Sequence, residues 1–269
     1  MNVRSVVIVT KHKQPDVAGV AAELAEWFKG RNIEASLDPQ AASKADLAVV
    51  VGGDGTLLAA ARLLGDRQIP ILAINRGGLG FLTEVTLNEM YPAIERVLEG
   101  HFIPEHRMMM DIEILRARKR LAGYRALNDV VINKGTLSRM IELEARVDGQ
   151  YVSKFRADGL IVATPTGSTA YNLSAGGPII FPTMSAMVVT PICSHTLTNR
   201  PIVLPPGVQV EIMLSSTQED VQVTVDGQVG IKLETNDQIT VEKSDVAVKL
   251  VAPADKNYFD VLRGKLKWG

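Results

Sequence analysis

A single cysteine, Cys193, stands in the whole chain. It excludes an internal disulfide framework and a multi-cysteine zinc site, and it suits a reducing, cytoplasmic compartment. With no base partner near it in sequence, it reads as a small buried residue. An excess of one charge is also missing. Lys+Arg is 29 and Asp+Glu is 30, a net charge of -1, so nothing points to a general nucleic-acid or anionic-membrane binder. No stretch approaches the ~18 apolar residues of a membrane span. The first apolar run, within Val6–Thr10, is short and followed by polar residues, so the opening segment does not read as a secretory signal. The 4 histidines (His12, His101, His106 and His195) have neither H-E-x-x-H nor paired-cysteine spacing, which leaves no ligand set for a structural metal.

What remains is an ordinary globular composition, 46% hydrophobic and 22% charged over 269 residues. That supports a full core in one or two domains. Residues 1–100 alternate strand and helix patterns. Val3–Thr10 is a β-branched apolar run, as expected of a buried parallel strand. Pro15 and Asp16 open a helix with Val17, Val20, Ala21, Leu24, Trp27 and Phe28 on one face, and Gly30 closes it. Short strands follow at Ile33–Leu37, Ala45–Val51 and Ile69–Ile74. Helices are expected at Leu57–Leu64 and Thr86–Leu98. Such βαβ alternation implies an open parallel sheet. From about residue 101 to 251 the segments are short and β-rich. Two Val-Asp-Gly-Gln units, at 147–150 and 225–228, mark hairpin turns. One helical island is expected at Ser168–Ala175, and Met108–Met110 should pack in a core. The tail, 252–269, is a candidate to return to the first domain.

Chemistry concentrates where strands end. Ala45–Val51 runs into Gly52-Gly53-Asp54-Gly55-Thr56, a loop whose missing side chains let backbone amides approach phosphate oxygens. A helix expected near Thr56 adds unpaired amides and a positive dipole end. A carboxylate among such amides makes sense if Asp54 serves a metal ion or accepts a proton, and both roles fit phosphoryl transfer to a hydroxyl. A second glycine-rich loop, Asn75-Arg76-Gly77-Gly78-Leu79-Gly80-Phe81-Leu82, follows the next strand. Neither loop has P-loop or Rossmann fingerprint spacing. In the second domain, the run from Arg156 to Pro178 is dense in small and polar residues. Ser168 or Thr169 could cap a helix or hold a phosphate, Tyr171 could stack on a ring, and Asp158 could accept from hydroxyls. A capped surface helix with a Gly-Gly-Pro stop would explain the ends of that run. It would not explain the charged pair before the strand.

At these residues the chain resembles the bacterial NAD kinase (ATP-NAD kinase) family. GGDGT at 52–56, NRGGLGFL at 75–82, LNDVVI at 127–132 and DGLIVATPTGSTAYNLSAGGPI at 158–179 are similar to that family's signature segments, in the same order. GGDG alone is shared with lipid kinases and phosphofructokinases. The resemblance implies a Rossmann-like N-terminal domain with a parallel sheet and a β-sandwich-like C-terminal domain, an α/β plus all-β fold. It implies transfer of the ATP γ-phosphoryl group to the 2′-hydroxyl of the adenosine ribose of NAD, giving NADP. Asp54 matches the family's proton acceptor, and Gly55 lines the dinucleotide beside it. Asn128 and Asp129 match the ribose- and adenosine-contacting pair. Arg139, Arg156 and Asp158 match further dinucleotide-binding positions. Thr169, Ala170, Tyr171, Asn172, Leu173 and Ser174 match the stretch that wraps the substrate, and Gln228 matches another contact. Phe81 and Thr166 stand near the implied pocket. The family resemblance also implies ATP with a divalent metal (Mg²⁺ or Mn²⁺), no protein-held metal site, and a homodimer or homotetramer. Two rivals stand beside this reading: a lipid or sugar kinase of the GGDG superfamily, and a non-catalytic nucleotide-binding regulator.

Overall fold

The computed structural model describes residues 3–10, 15–78, 80–135, 139–196, 198–217, 220–253 and 257–268. The contacts divide the chain into two units, Met1–His106 with Val248–Gly269, and Arg107–Ala247.

The first unit contains strands β1 (Ser5–Thr10), β2 (Glu34–Ser36), β3 (Leu47–Val51), β4 (Pro70–Asn75) and the short β5 (Val85–Thr86). β1 pairs in parallel with β2 and β3, β3 with β4, and β4 with β5. Residues 249–250 add a further parallel partner to β4. All five residues of β3 are buried, which means both faces of the sheet are covered. Helix α1 (Pro15–Lys29) buries Ala21, Leu24 and Phe28 against Val6, Ile8, Val49 and Val51. The side chain of Val17 lies outside the described residues, as does His12.

Helix α2 spans Asp54–Leu64, so it starts two residues before the expected Thr56. The acid is the first helical residue, where a carboxylate interacts favourably with the dipole. The expected Thr86–Leu98 helix divides into a 3₁₀ turn at Leu87–Glu89 and α3 (Met90–Leu98). A capping box between Thr86 and Glu89 sets that start.

The second unit is antiparallel. The chain enters it through β6 (Phe102–Arg116), followed by β7 (Lys119–Ala126), β8 (Asp129–Lys134), β9 (Ile141–Val147), β10 (Gln150–Ala157) and β11 (Gly159–Ala163). After α4 (Tyr171–Ser174) come β12 (Met187–Ile192), β13 (Ile202–Leu204), β14 (Val210–Leu214), β15 (Val221–Val225), β16 (Val229–Leu233) and β17 (Gln238–Pro253). Helix α5 (Tyr258–Leu266) follows, in the first unit. One sheet has the 6-stranded order β13-β12-β11-β8-β15-β16, and the other runs β10-β9-β14-β17 within this unit. Inward residues of both sheets form one cluster, including Leu143, Phe155 and Ile212 from one and Ile132, Leu160 and Val223 from the other. Face-to-face packing of this kind defines a sandwich. Met108, Met109 and Met110 are buried. Both Val-Asp-Gly-Gln units turn hairpins, β9–β10 and β15–β16. Their Asp148 and Asp226 adopt φ +49°, a left-handed conformation that Asp tolerates better than most residues.

The helical island at 168–175 is two pieces, a 3₁₀ turn at Gly167–Thr169 and the single-turn α4. Ala170 separates them with φ −91° and ψ −130°, outside helical geometry. Cys193 is exposed rather than buried. It follows the last residue of β12 with φ +47°, and that turn takes it out of the sheet.

Candidate active site

Asp54 is half-buried at the start of α2. Its carboxylate is gripped by the second glycine-rich loop. Oδ2 accepts the Phe81 N–H at 2.9 Å, while Oδ1 accepts the Leu82 N–H at 3.2 Å and the Thr83 hydroxyl at 2.9 Å. Parallel pairing of β3 with β4 delivers both loops to the same sheet edge, the edge where open α/β sheets bind ligands. Gly80 is required by close approach. A Cβ there would lie 2.2 Å from both Asp54 Oδ1 and Thr83 Oγ1. Phe81 therefore contributes its amide here, and its ring lies 5.9 Å from Lys265 Nζ.

The second unit builds a different kind of site around residues 127–129. The buried Asp226 carboxylate accepts N–H groups from Leu127 (3.2 Å), Asn128 (2.8 Å) and Asp129 (3.2 Å). The Thr164 hydroxyl donates to the Leu127 carbonyl at 2.5 Å, and the Thr164 N–H donates to the Asn128 carbonyl at 2.8 Å. Gly167 packs so closely that a Cβ would stand 2.0 Å from the Asn128 carbonyl oxygen. With the backbone so fixed, Asn128 Oδ1 and Thr166 Oγ1 are buried and accept no hydrogen bond. Buried oxygens of native proteins are normally paired, so these two carry an unmet hydrogen-bonding capacity. Asp129 is 5% exposed. Burial, then the nearby Asp226 carboxylate, push its carboxyl up to about 7.

The stretch 169–174 divides by orientation. Tyr171 exposes its ring, at 43%, and Ser174 is also exposed, while Ala170 and Leu173 are half-buried. Thr169 is buried, with its hydroxyl donating to the Thr166 carbonyl at 3.3 Å. Asn172 is fully buried and its side chain braces the fold. Nδ2 donates to the carbonyls of Ser168 (3.0 Å) and Pro178 (3.1 Å), and Oδ1 accepts the Thr190 hydroxyl at 2.6 Å. What Asn172 can offer a ligand is backbone. Arg139 and Arg156 are exposed and line one open polar cavity with Met140, Glu142, Ser215, Ser216 and Thr217, two cations against one carboxylate. Two guanidinium groups beside hydroxyls suit an anion. Asp158 pairs with Lys134 at 3.5 Å. Gln228 is exposed at the β15–β16 turn. Asp54, Gly55 and Phe81 belong to the first unit and the remaining candidates to the second.

Residues 3–102 match the ATP-NAD kinase N-terminal domain and residues 127–252 the ATP-NAD kinase C-terminal domain. The chain belongs to the NAD kinase family. An NAD kinase of Geotalea daltonii is 49% identical over 281 residues, covering 99% of this chain and 99% of the relative. One from Geobacter sulfurreducens is 47% identical with the same coverage. Among solved structures, yeast NADH kinase complexed with NADH superposes with a TM-score of 0.84 at 28% identity, covering 99% of this chain and 87% of that one. The NAD kinase from Archaeoglobus fulgidus in complex with ATP gives 0.77 at 28% identity, with 98% of each chain covered. The NAD kinase fold thus has the α/β unit and the antiparallel sandwich described above.

Three residues of this NAD kinase family member escaped the sequence reading. Thr83 and Asn75 support Asp54, and Asp226 anchors 127–129. Asn75 stands in the quoted NRGG segment and Asp226 in a recurring Val-Asp-Gly-Gln unit, so the signals were present. Nothing in a one-dimensional pattern says that their side chains turn inward. Among the described residues no group of three His, Cys, Asp or Glu could hold a metal ion. No described helix is long and apolar enough to cross a membrane.

Proposed function

We propose that the chain transfers the γ-phosphoryl group of ATP to the 2′-hydroxyl of the adenosine ribose of NAD, giving NADP. The observation that carries this reading is the Asp54 carboxylate, held by two amides and a hydroxyl at the start of α2 in a member of the NAD kinase family. A ribose hydroxyl is a poor nucleophile while it keeps its proton, and a base within hydrogen-bond reach contributes typically ~10²–10⁴-fold. Asp54 is that base. Phosphoryl transfer otherwise depends on positioning and on offsetting charge. Arg139 and Arg156 face the dinucleotide phosphates, Tyr171 stacks on a ring, and the vacant oxygens of Asn128 and Thr166 accept donors of the adenosine moiety. Asp129, with a carboxyl near neutrality, can accept from or donate to a ribose hydroxyl. Gly55, Asp158, Thr169–Ser174 and Gln228 complete the contacts that the resemblance assigns. The yeast relative is complexed with NADH and the archaeal one with ATP, which supports a nicotinamide dinucleotide and ATP as ligands here.

A divalent ion, Mg²⁺ or Mn²⁺, would be carried by the phosphates of ATP and would screen their charge. Assembly as a homodimer or homotetramer in the cytoplasm belongs to the same reading. The test is the purified chain with NAD, ATP and Mg²⁺, followed with an NADP-specific dehydrogenase. NADP should form only when all three are present. Phosphorylation of diacylglycerol without NADP would favour the lipid-kinase reading, and nucleotide binding without product the regulator.

A further inference from the structure

Asp54 does not hold its pose by itself, and the chain of bonds behind it has a direction. Asn75, at the end of β4, is 4% exposed and Thr83 is fully buried. Asn75 Oδ1 accepts the Gly77 N–H at 2.8 Å, which fixes which way the amide points. Nδ2 then donates to the Gly78 carbonyl at 2.8 Å and to Thr83 Oγ1 at 2.8 Å. A hydroxyl has one proton. Because Thr83 Oγ1 accepts from Asn75, its proton is free to point at Asp54 Oδ1, 2.9 Å away. The order of donation runs Gly77 to Asn75 to Thr83 to Asp54.

An ionised carboxylate has about four acceptor positions. Thr83 and Leu82 occupy both on Oδ1, and Phe81 occupies one on Oδ2. One remains, on Oδ2. We propose that Thr83, oriented by Asn75, is a positioning residue that pins Asp54 through Oδ1 and leaves Oδ2 as the atom that takes the ribose proton. This rests on the phosphoryl-transfer reading above and assigns its geometry to two residues outside the quoted contact set. The competing explanation is that Asn75 and Thr83 merely brace the 75–83 loop, and the two make different kinetic predictions.

Thr83→Val keeps the shape and removes the donor. If Thr83 positions the base, kcat falls ~10–100-fold, the size of effect that a misplaced catalytic group produces, while KM for NAD and ATP stays within about twofold. Thr83→Ser, which restores a hydroxyl, recovers most of the rate. In an Asp54→Asn background the same Thr83→Val change costs less than about twofold, since groups acting as a unit are non-additive. Thr83→Ala is the second variant should the valine form not fold, with the same expected split. The inference is overturned if kcat of the folded Val or Ala variant stays within about twofold of the parent, or if the loss is as large without the Asp54 carboxylate as with it. A parent that makes no NADP would instead sink the phosphoryl-transfer reading, so the two failures are distinguishable.

Discussion

Two clusters of polar atoms, one in each unit, are partnered differently. Around Asp54, every oxygen of the acid is engaged by a donor of its own unit. Around residues 127–129 the backbone is equally well held, yet the oxygens of Asn128 and Thr166 are left empty. On the proposed function, each set has a different task. A group that moves a proton has to stand in one place before substrate arrives, so the protein supplies its partners. A group that recognises a ligand keeps its valence for the ligand and bears the desolvation cost in the meantime.

The largest effect that would break this comparison is at the acid. Asp54→Asn should lower kcat by at least ~10² and leave KM for NAD within a few-fold, as measured by steady-state NADP formation. A variant running near the parental rate would show that the held carboxylate is not the base. Next comes the vacant pair. Thr166→Val removes a hydroxyl that has no partner, so the free protein should be as stable as the parent or up to about 1 kcal/mol more stable, because a buried unsatisfied group is relieved. KM for NAD should rise several-fold in the same variant. A drop in melting temperature with unchanged KM would mean that the hydroxyl serves the fold. The last effect is read in stability and not in rate: the pH dependence of Asp129. Its carboxyl stands at about 7 against an ordinary value of 3.8, with burial the main cause. Between about pH 4 and pH 7 the folded chain keeps a proton that the unfolded chain releases. Stability therefore falls as pH rises through that window and is level above it. Asp129→Asn should lack this decline, so its melting temperature relative to the parent climbs from pH 4 to pH 7. Parallel profiles would show that the carboxyl is not raised.

Much of this architecture was legible in residue order. The apolar runs at Ala45–Val51 and Ile69–Ile74 read as buried strands and form them at Leu47–Val51 and Pro70–Asn75, and glycines after each announce loops where backbone matters more than side chain. The paired Val-Asp-Gly-Gln units marked their hairpins. Asp54 stood out as a candidate because a carboxylate is unexpected among amides suited to phosphate. Its helical position was not, since the loop and the first turn share the same residues. Asn172 shows the opposite limit. It lies within a family signature, yet its amide is consumed by Ser168, Pro178 and Thr190, contacts as far as 18 residues away in sequence. The exposure of Cys193 depended on a single left-handed turn. Thr83, Asn75 and Asp226 were invisible for the same reason: their partners are set by tertiary packing, and no local period encodes it.

At position 80 the vacancy on the α-carbon is filled by two functional oxygens that arrive from elsewhere in the unit. The smallest edit a genome can make there, one hydrogen exchanged for one methyl, would crowd the acid from behind while leaving the charge, the turn and the rest of the loop unaltered. Tolerance to mutation at that residue is thus governed by a neighbour's occupancy, and an alanine scan would score a glycine as indispensable although it contributes no atom to the chemistry.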